Sequence, residues 1–168
     1  MKPQGAVFDC MVFVQAIASP GTAHRCYLQV MDSGGPLLVS SETMRELREV
    51  LGRPELQRKL KGITPQRVDS LLHHLSDMAV HIEPVPHVFS FPPDPKDEPY
   101  LNLAIAAKAG TLVTRDKALL RLAEPSNELA SQLAAHHPTL RILIPERHLE
   151  YASDRPEAVL LNQTEVDP

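Results

Sequence analysis

No tryptophan occurs in this chain of 168 residues, and its aromatic share is only 4%. So few rings argue against the stacked-base platforms that usually hold single-stranded nucleic acid. Cysteine is scarce too. Cys10 and Cys26 stand alone, outside any CxxC pair, which excludes a disulfide framework and suits a reducing compartment. Positive charge is not in excess: 17 Lys and Arg against 21 Asp and Glu leave a net charge of −4. That balance speaks against a constitutive nucleic-acid scaffold, yet leaves room for an enzyme that meets a phosphodiester through bound metal. No apolar run approaches the roughly 18 residues of a membrane span. The segment Ala6–Ala18 after Lys2 loosely resembles a signal peptide, but Asp9 and Gln15 interrupt it. The expectation is a soluble, cytoplasmic protein with no membrane partner.

Hydrophobic residues at 43% and charged residues at 23% are ordinary globular values. The length fits one domain, taken as residues 1–152, followed by a polar tail over 153–168 expected to fray. Short apolar runs alternate with helix-length amphipathic segments, the pattern of βαβ units and a mostly parallel sheet in an α/β fold. The runs Gly5–Asp9, Leu37–Ser40, His81–Glu83, Thr111–Thr114 and Leu140–Ile144 are the strand candidates. Helices are predicted over Thr43–Leu51, Gln66–Met78 and Tyr100–Ala109, with Gly110 as the stop of the last. Ser19-Pro20-Gly21 separates two further helical patterns. Five prolines between Pro84 and Pro95 dictate an extended connection.

The ends of the strands carry acids. Asp9 follows Gly-Ala-Val-Phe, and Asp116 follows Leu-Val-Thr-Arg, so a parallel sheet brings both to one edge. Each also reads as a helix cap. For Asp9 the apolar residues that follow, Cys10 to Phe13, make an unpaired charge costly. On the helix after the second strand, Glu42, Glu46 and Glu49 share a face. Glu49 has Arg45 and Arg53 within one turn, while Glu46 has no cation there. Glu46 is thus either a solvated position or a cation ligand. In Asp94-Pro95-Lys96-Asp97-Glu98, Asp94 serves as cap, and Asp97 and Glu98 either complement the helix dipole or join the site. Acids gathered at one sheet edge repel, and a hard divalent cation such as Mg²⁺ or Mn²⁺ is the usual compensation. Such a cation suits phosphodiester hydrolysis.

These motifs resemble those of the PIN-domain ribonucleases, in particular the VapC-like toxins of toxin–antitoxin systems. Val7-Phe8-Asp9 resembles the opening strand and first acid; Ser41-Glu42-Thr43-Met44-Arg45-Glu46-Leu47 resembles the helix bearing the second. Asp94-Pro95-Lys96-Asp97-Glu98 resembles the third motif, Leu112-Val113-Thr114-Arg115-Asp116 the fourth, and Arg141-Ile142-Leu143-Ile144-Pro145 the last strand. The resemblance implies a three-layer α/β/α sandwich with a central, mostly parallel sheet. It implies Asp9, Glu46, Asp97 and Asp116 as catalytic and metal-binding acids around Mg²⁺ or Mn²⁺, cutting RNA. Thr114 would position a ligand or water beside Asp116, and Glu98 stands where a second Asp is frequent, so it and Asp97 are interchangeable at this stage. The expected partners are an RNA substrate, a cognate antitoxin and a second copy in a homodimer. The family's usual opening Asp-Thr-Asn reads Asp9-Cys10-Met11 here.

Other chemistries fit less well. An aspartyl phosphatase needs a second acid where Met11 stands, and no GxGxxG follows the first strand. The doublets His73-His74 and His136-His137 point their members about 100° apart on a helix, so they read as solvated faces rather than zinc ligands. A catalytically degenerate PIN domain acting as a regulatory or binding protein is the non-enzymatic alternative.

Overall fold

The computed structural model describes residues 4–33 and 35–154. Lys2, Gly34 and the tail from 155 onward lie outside them. The chain begins with β1 (Ala6–Phe8), then α1 (Cys10–Ala18), α2 (Thr22–Asp32) and β2 (Leu38–Val39). Next come α3 (Ser41–Leu51), α4 (Pro54–Lys59), α5 (Pro65–Met78) and β3 (Val80–His81). The extended proline-rich connection leads into a 3₁₀ turn over Pro95–Asp97 and then α6 (Glu98–Ala106). β4 (Thr111–Val113), α7 (Lys117–Leu120), α8 (Glu128–His136), β5 (Arg141–Leu143) and α9 (Pro145–Ser153) complete the described chain.

All strand pairings are parallel. β1, β4 and β5 form one sheet and β2 with β3 another, joined by the bridge from Ala6 to Leu37. The strands therefore run in the order β3-β2-β1-β4-β5. α6 packs on β1, β2 and β4, whereas α9 packs on β4, β5 and α2, so helices cover the sheet as the α/β sandwich requires. Val7, Leu112 and Val113 of the central strands are fully buried, as are Leu101, Leu103 and Ala104 of α6.

Local chemistry sets the element ends. Ser40 caps α3: its Oγ accepts the Thr43 N–H at 3.2 Å, while Thr43 Oγ1 accepts the Ser40 N–H at 2.9 Å. This reciprocal pair starts the helix two residues before the predicted Thr43. At the other end of the site, α6 begins at Glu98 and ends at Ala106, not at Ala109. The left-handed residue beyond it is Lys108, with φ 50°, rather than Gly110. Gly110 instead donates its N–H to the Gly5 carbonyl at 2.8 Å and leads into β4. No described helix is long and apolar enough to cross a membrane.

The solvated-face reading of the histidine doublets fails for His137, which is 8% exposed and donates from Nε2 to the Ala109 carbonyl at 2.6 Å. His137 ends α8 and turns inward there, a placement that helical spacing does not encode. His73 is exposed, beside Asp77, and His74 Nδ1 is hydrogen-bonded with the Tyr27 hydroxyl.

Gly62 marks a close backbone approach. A Cβ there would lie 1.9 Å from the Ala18 carbonyl oxygen, and neither backbone can move aside without disturbing α1. Gly62→Ala is expected to cost about 2 kcal/mol, lowering Tm by roughly 4–8 °C. An unchanged thermal transition would show that the α4–α5 turn relaxes freely.

Candidate metal centre

From β1 the chain moves outward through β2 to β3, then crosses back to place β4 on the other side of β1. The carboxyl ends of β1 and β4 therefore border the switch point of the sheet, where an open parallel fold leaves its crevice. Asp9 leaves β1 there, its N–H donating to the Val113 carbonyl at 3.0 Å. Thr114 continues β4, and Asp116 follows two residues later.

Thr114 ties the two strand ends together. Its side chain is fully buried, and Oγ1 donates to Asp9 Oδ2 at 2.9 Å while accepting the Asp116 N–H at 3.0 Å. Asp116 is also a cap. Its Oδ1 accepts the Ala118 and Leu119 N–H groups at 2.8 and 3.1 Å, leaving Oδ2 for the crevice. Asp9 sits at the cap position of α1 without completing a side-chain cap bond. The cap reading thus holds for Asp116 and fails for Asp9.

Asp94 and Asp97 reach the crevice from the 3₁₀ turn. Asp94 is the extended residue that caps the turn and Asp97 is its last residue, so the turn brings the two acids to one place. Asp94 Oδ1 caps the turn through the Lys96 N–H at 3.2 Å. Asp94, Asp97 and Asp116 each present an oxygen within 4.8 Å of the others. Asp97 is 8% exposed, and its Oδ2 is buried with no hydrogen-bond partner. A buried anionic oxygen without a donor is costly, and a cation is the partner its chemistry calls for. Asp94, read from the sequence only as a cap, is a candidate ligand because its oxygen lies within 4.8 Å of those of Asp97 and Asp116.

The charges interact as one cluster. Burial first, then Asp9, Asp116, Asp94 and Glu46, together raise the Asp97 carboxyl from 3.8 to about 7. Burial also raises Asp9; Glu46 and Asp116 add to that, while the Thr114 hydroxyl and the nearby Met11 N–H oppose it. Glu46, partly buried on α3, accepts a hydrogen bond from the Tyr100 hydroxyl in the first turn of α6. Cys10, pushed up to about 12 chiefly by burial and then by Glu46 and Asp9, remains a neutral thiol beside them.

Glu98 is held elsewhere. Its Oε1 accepts the Phe91 N–H at 2.8 Å and its Oε2 meets His87 Nε2 at 2.8 Å, fastening the proline-rich connection to α6. The Phe91 N–H, followed by His87, keeps its carboxyl below the usual range. Arg115 is likewise occupied, gripping Glu146 through two bonds of 2.8 and 3.0 Å and Gln15 through a third of 2.8 Å. It anchors α9 to the loop that carries Asp116. A separate cleft of about 430 Å³ lies between α1, α2 and α5, lined by His24, Tyr27, Arg67 and His74. None of the clustered acids lines it, so the cleft and the chemistry point to different places, and the chemistry decides for the acids.

The family model for the PIN domain matches residues 5–118, more than half of the chain, a span that includes Asp9, Glu46, Asp94, Asp97 and Asp116. The chain belongs to the PIN domain family. No curated protein and no solved structure matches it. PIN domains are typically nucleases that use divalent metal ions and bind RNA. In this PIN domain the acidic cluster, with its orphaned Asp97 oxygen, fits such an ion.

Proposed function

We propose that this PIN domain is a metal-dependent endoribonuclease that hydrolyses RNA phosphodiester bonds, and that it is the toxin of a VapC-like toxin–antitoxin pair. The observation that carries the nuclease reading is the buried, partnerless Asp97 Oδ2 among Asp94 and Asp116. Asp9, Glu46, Asp97 and Asp116 would hold Mg²⁺ or Mn²⁺, with Asp94 as an added ligand. The ion supplies the Lewis acidity that activates water and neutralises charge developing on phosphorus.

The chain's own residues account for the rest. Thr114 fixes the Asp9 carboxylate and the Asp116 backbone in one arrangement, so two acids from different strands keep their spacing. The cap bonds to Ala118 and Leu119 leave only one Asp116 oxygen to turn inward. Burial and the neighbouring acids raise the Asp97 carboxyl to about 7, so a cation held there would compete with a proton. The toxin assignment rests on the motif resemblance, which also brings a cognate antitoxin and a homodimer as partners.

Cleavage of a mixed panel of labelled RNAs tests this. The wild-type protein is expected to cut with Mg²⁺ or Mn²⁺ and not in EDTA, and Asp9→Asn to lose at least about 100-fold while remaining folded. Induced expression should arrest growth, and Asp9→Asn should relieve the arrest. A folded protein that neither cuts any RNA nor binds Mn²⁺ would overturn the nuclease reading in favour of a degenerate PIN domain. Cutting without growth arrest would remove only the toxin role.

A further inference from the structure

Glu46 is unlike the other clustered acids in how it is held. Asp9 is fixed by Thr114, Asp116 by two backbone N–H groups and Asp94 by one, whereas Glu46 has no backbone donor and no cation among the described residues. Its side chain has three rotatable bonds on a helix face shared with Glu42 and Glu49. Left alone it would turn from its like-charged neighbours into solvent. The one hydrogen bond it makes among the described residues comes from the Tyr100 hydroxyl. Tyr100 is 2% exposed, so its ring is immobile, and it lies three residues after Asp97. That spacing makes α6 and the turn before it a single piece carrying one acid and the anchor of another.

We infer that Tyr100 is the positioning residue for Glu46. Its hydroxyl holds one carboxylate oxygen of Glu46 and so leaves the other to serve the ion. The inference rests on the metal-centre reading proposed above and adds a residue that touches neither ion nor substrate. A phenol keeps its proton at neutral pH, so the Tyr100 hydroxyl is the donor to the Glu46 carboxylate. The reach spans 54 residues of sequence and joins α3 to α6, which makes the arrangement of Glu46 depend on how those helices pack.

Tyr100→Phe removes the donor and keeps the ring. Mn²⁺ affinity is measured by calorimetry in the wild-type protein, Tyr100→Phe, Glu46→Ala and the double variant, with the metal-free Tm of each. The expected result is a loss of roughly 10–100-fold for Tyr100→Phe, as for other partners that orient metal ligands. In the Glu46→Ala background the same substitution should change affinity less than about twofold, and the metal-free Tm should stay within about 4 °C of its parent. Tyr100→Phe binding Mn²⁺ as tightly as wild type overturns the inference. So does an affinity loss matched by a larger fall in Tm, or one repeated in the Glu46→Ala background, since either marks a packing role. A wild-type protein that binds no Mn²⁺ overturns the metal-centre reading first, and this inference with it.

Discussion

Asp97→Asn is expected to make the metal-free protein more stable at pH 8 while reducing metal-dependent RNA cleavage by at least about 100-fold. The two effects have one origin. Asp97 has one oxygen buried without a donor and four acids raising its pKa to about 7 from 3.8. At pH 8 folding must carry that carboxylate ionised, against burial and against Asp9, Asp116, Asp94 and Glu46. The shift corresponds to about 4 kcal/mol, and allowing half for counterions and solvent in an open crevice leaves about 2 kcal/mol. An asparagine keeps the shape, removes one charge and gives the crowded carboxylates an N–H donor. Tm in EDTA should rise by roughly 4–8 °C. The same change removes a ligand, and losing a ligand costs at least what losing an orienting partner does. Melting in EDTA checks the first half and RNA cleavage the second. A lower Tm for Asp97→Asn would mean that the aspartate is structural, and the metal-centre reading would lose its main support.

The sequence revealed those acids whose neighbours could not explain them. Asp9 stood out because an apolar strand and an apolar helix flank it, and Glu46 because its helix face offers no cation. Strand order was legible only in part. Alternating runs imply a parallel sheet, but that β1 lies between β2 and β4, and so borders the crevice, depends on crossover direction. Asp94 was hidden by its own success as a cap: once a local bond accounts for a carboxylate, sequence gives no reason to ask about its second oxygen. Glu98 and Asp97 are adjacent and chemically alike, and only the folded connection separates them by turning Glu98 toward Phe91 and His87. Tyr100 counted merely as a member of an apolar helix, because a partner 54 residues away leaves no trace in periodicity. His137 was misjudged for a related reason, since the residue closing a helix is free to turn inward.

The metal-free protein is expected to lose stability as pH rises from about 5 to about 7, and Mn²⁺ to reverse the trend. Asp97 has a folded pKa of about 7 against 3.8, so across that window the native state binds more protons than the unfolded state. Stability then falls with rising pH, levelling off once Asp97 is ionised in both states. Asp9, also raised, adds to the slope. Glu146, paired with Arg115, and Glu83, accepting the Ser41 N–H, are lowered and work the other way. Their stabilisation is full above 4.5 and fades as pH falls below it, so the metal-free optimum sits near about pH 5. A divalent ion needs the ionised form. At about 1,000 times its Kd it adds about 4 kcal/mol, roughly 8–16 °C in Tm, at pH 8. At pH 5.5 protons compete for Asp97, and the same Mn²⁺ concentration should give a visibly smaller shift. Thermal melts over pH 4–9 with EDTA or Mn²⁺ read both curves. A Mn²⁺ shift independent of pH would show that the ion binds without displacing the Asp97 proton. A metal-free slope unchanged in Asp97→Asn would assign the titration to another group. Repulsion that weakens the empty fold would then also be what draws the cation in, because each charge that costs stability without metal becomes a ligand once the metal is present.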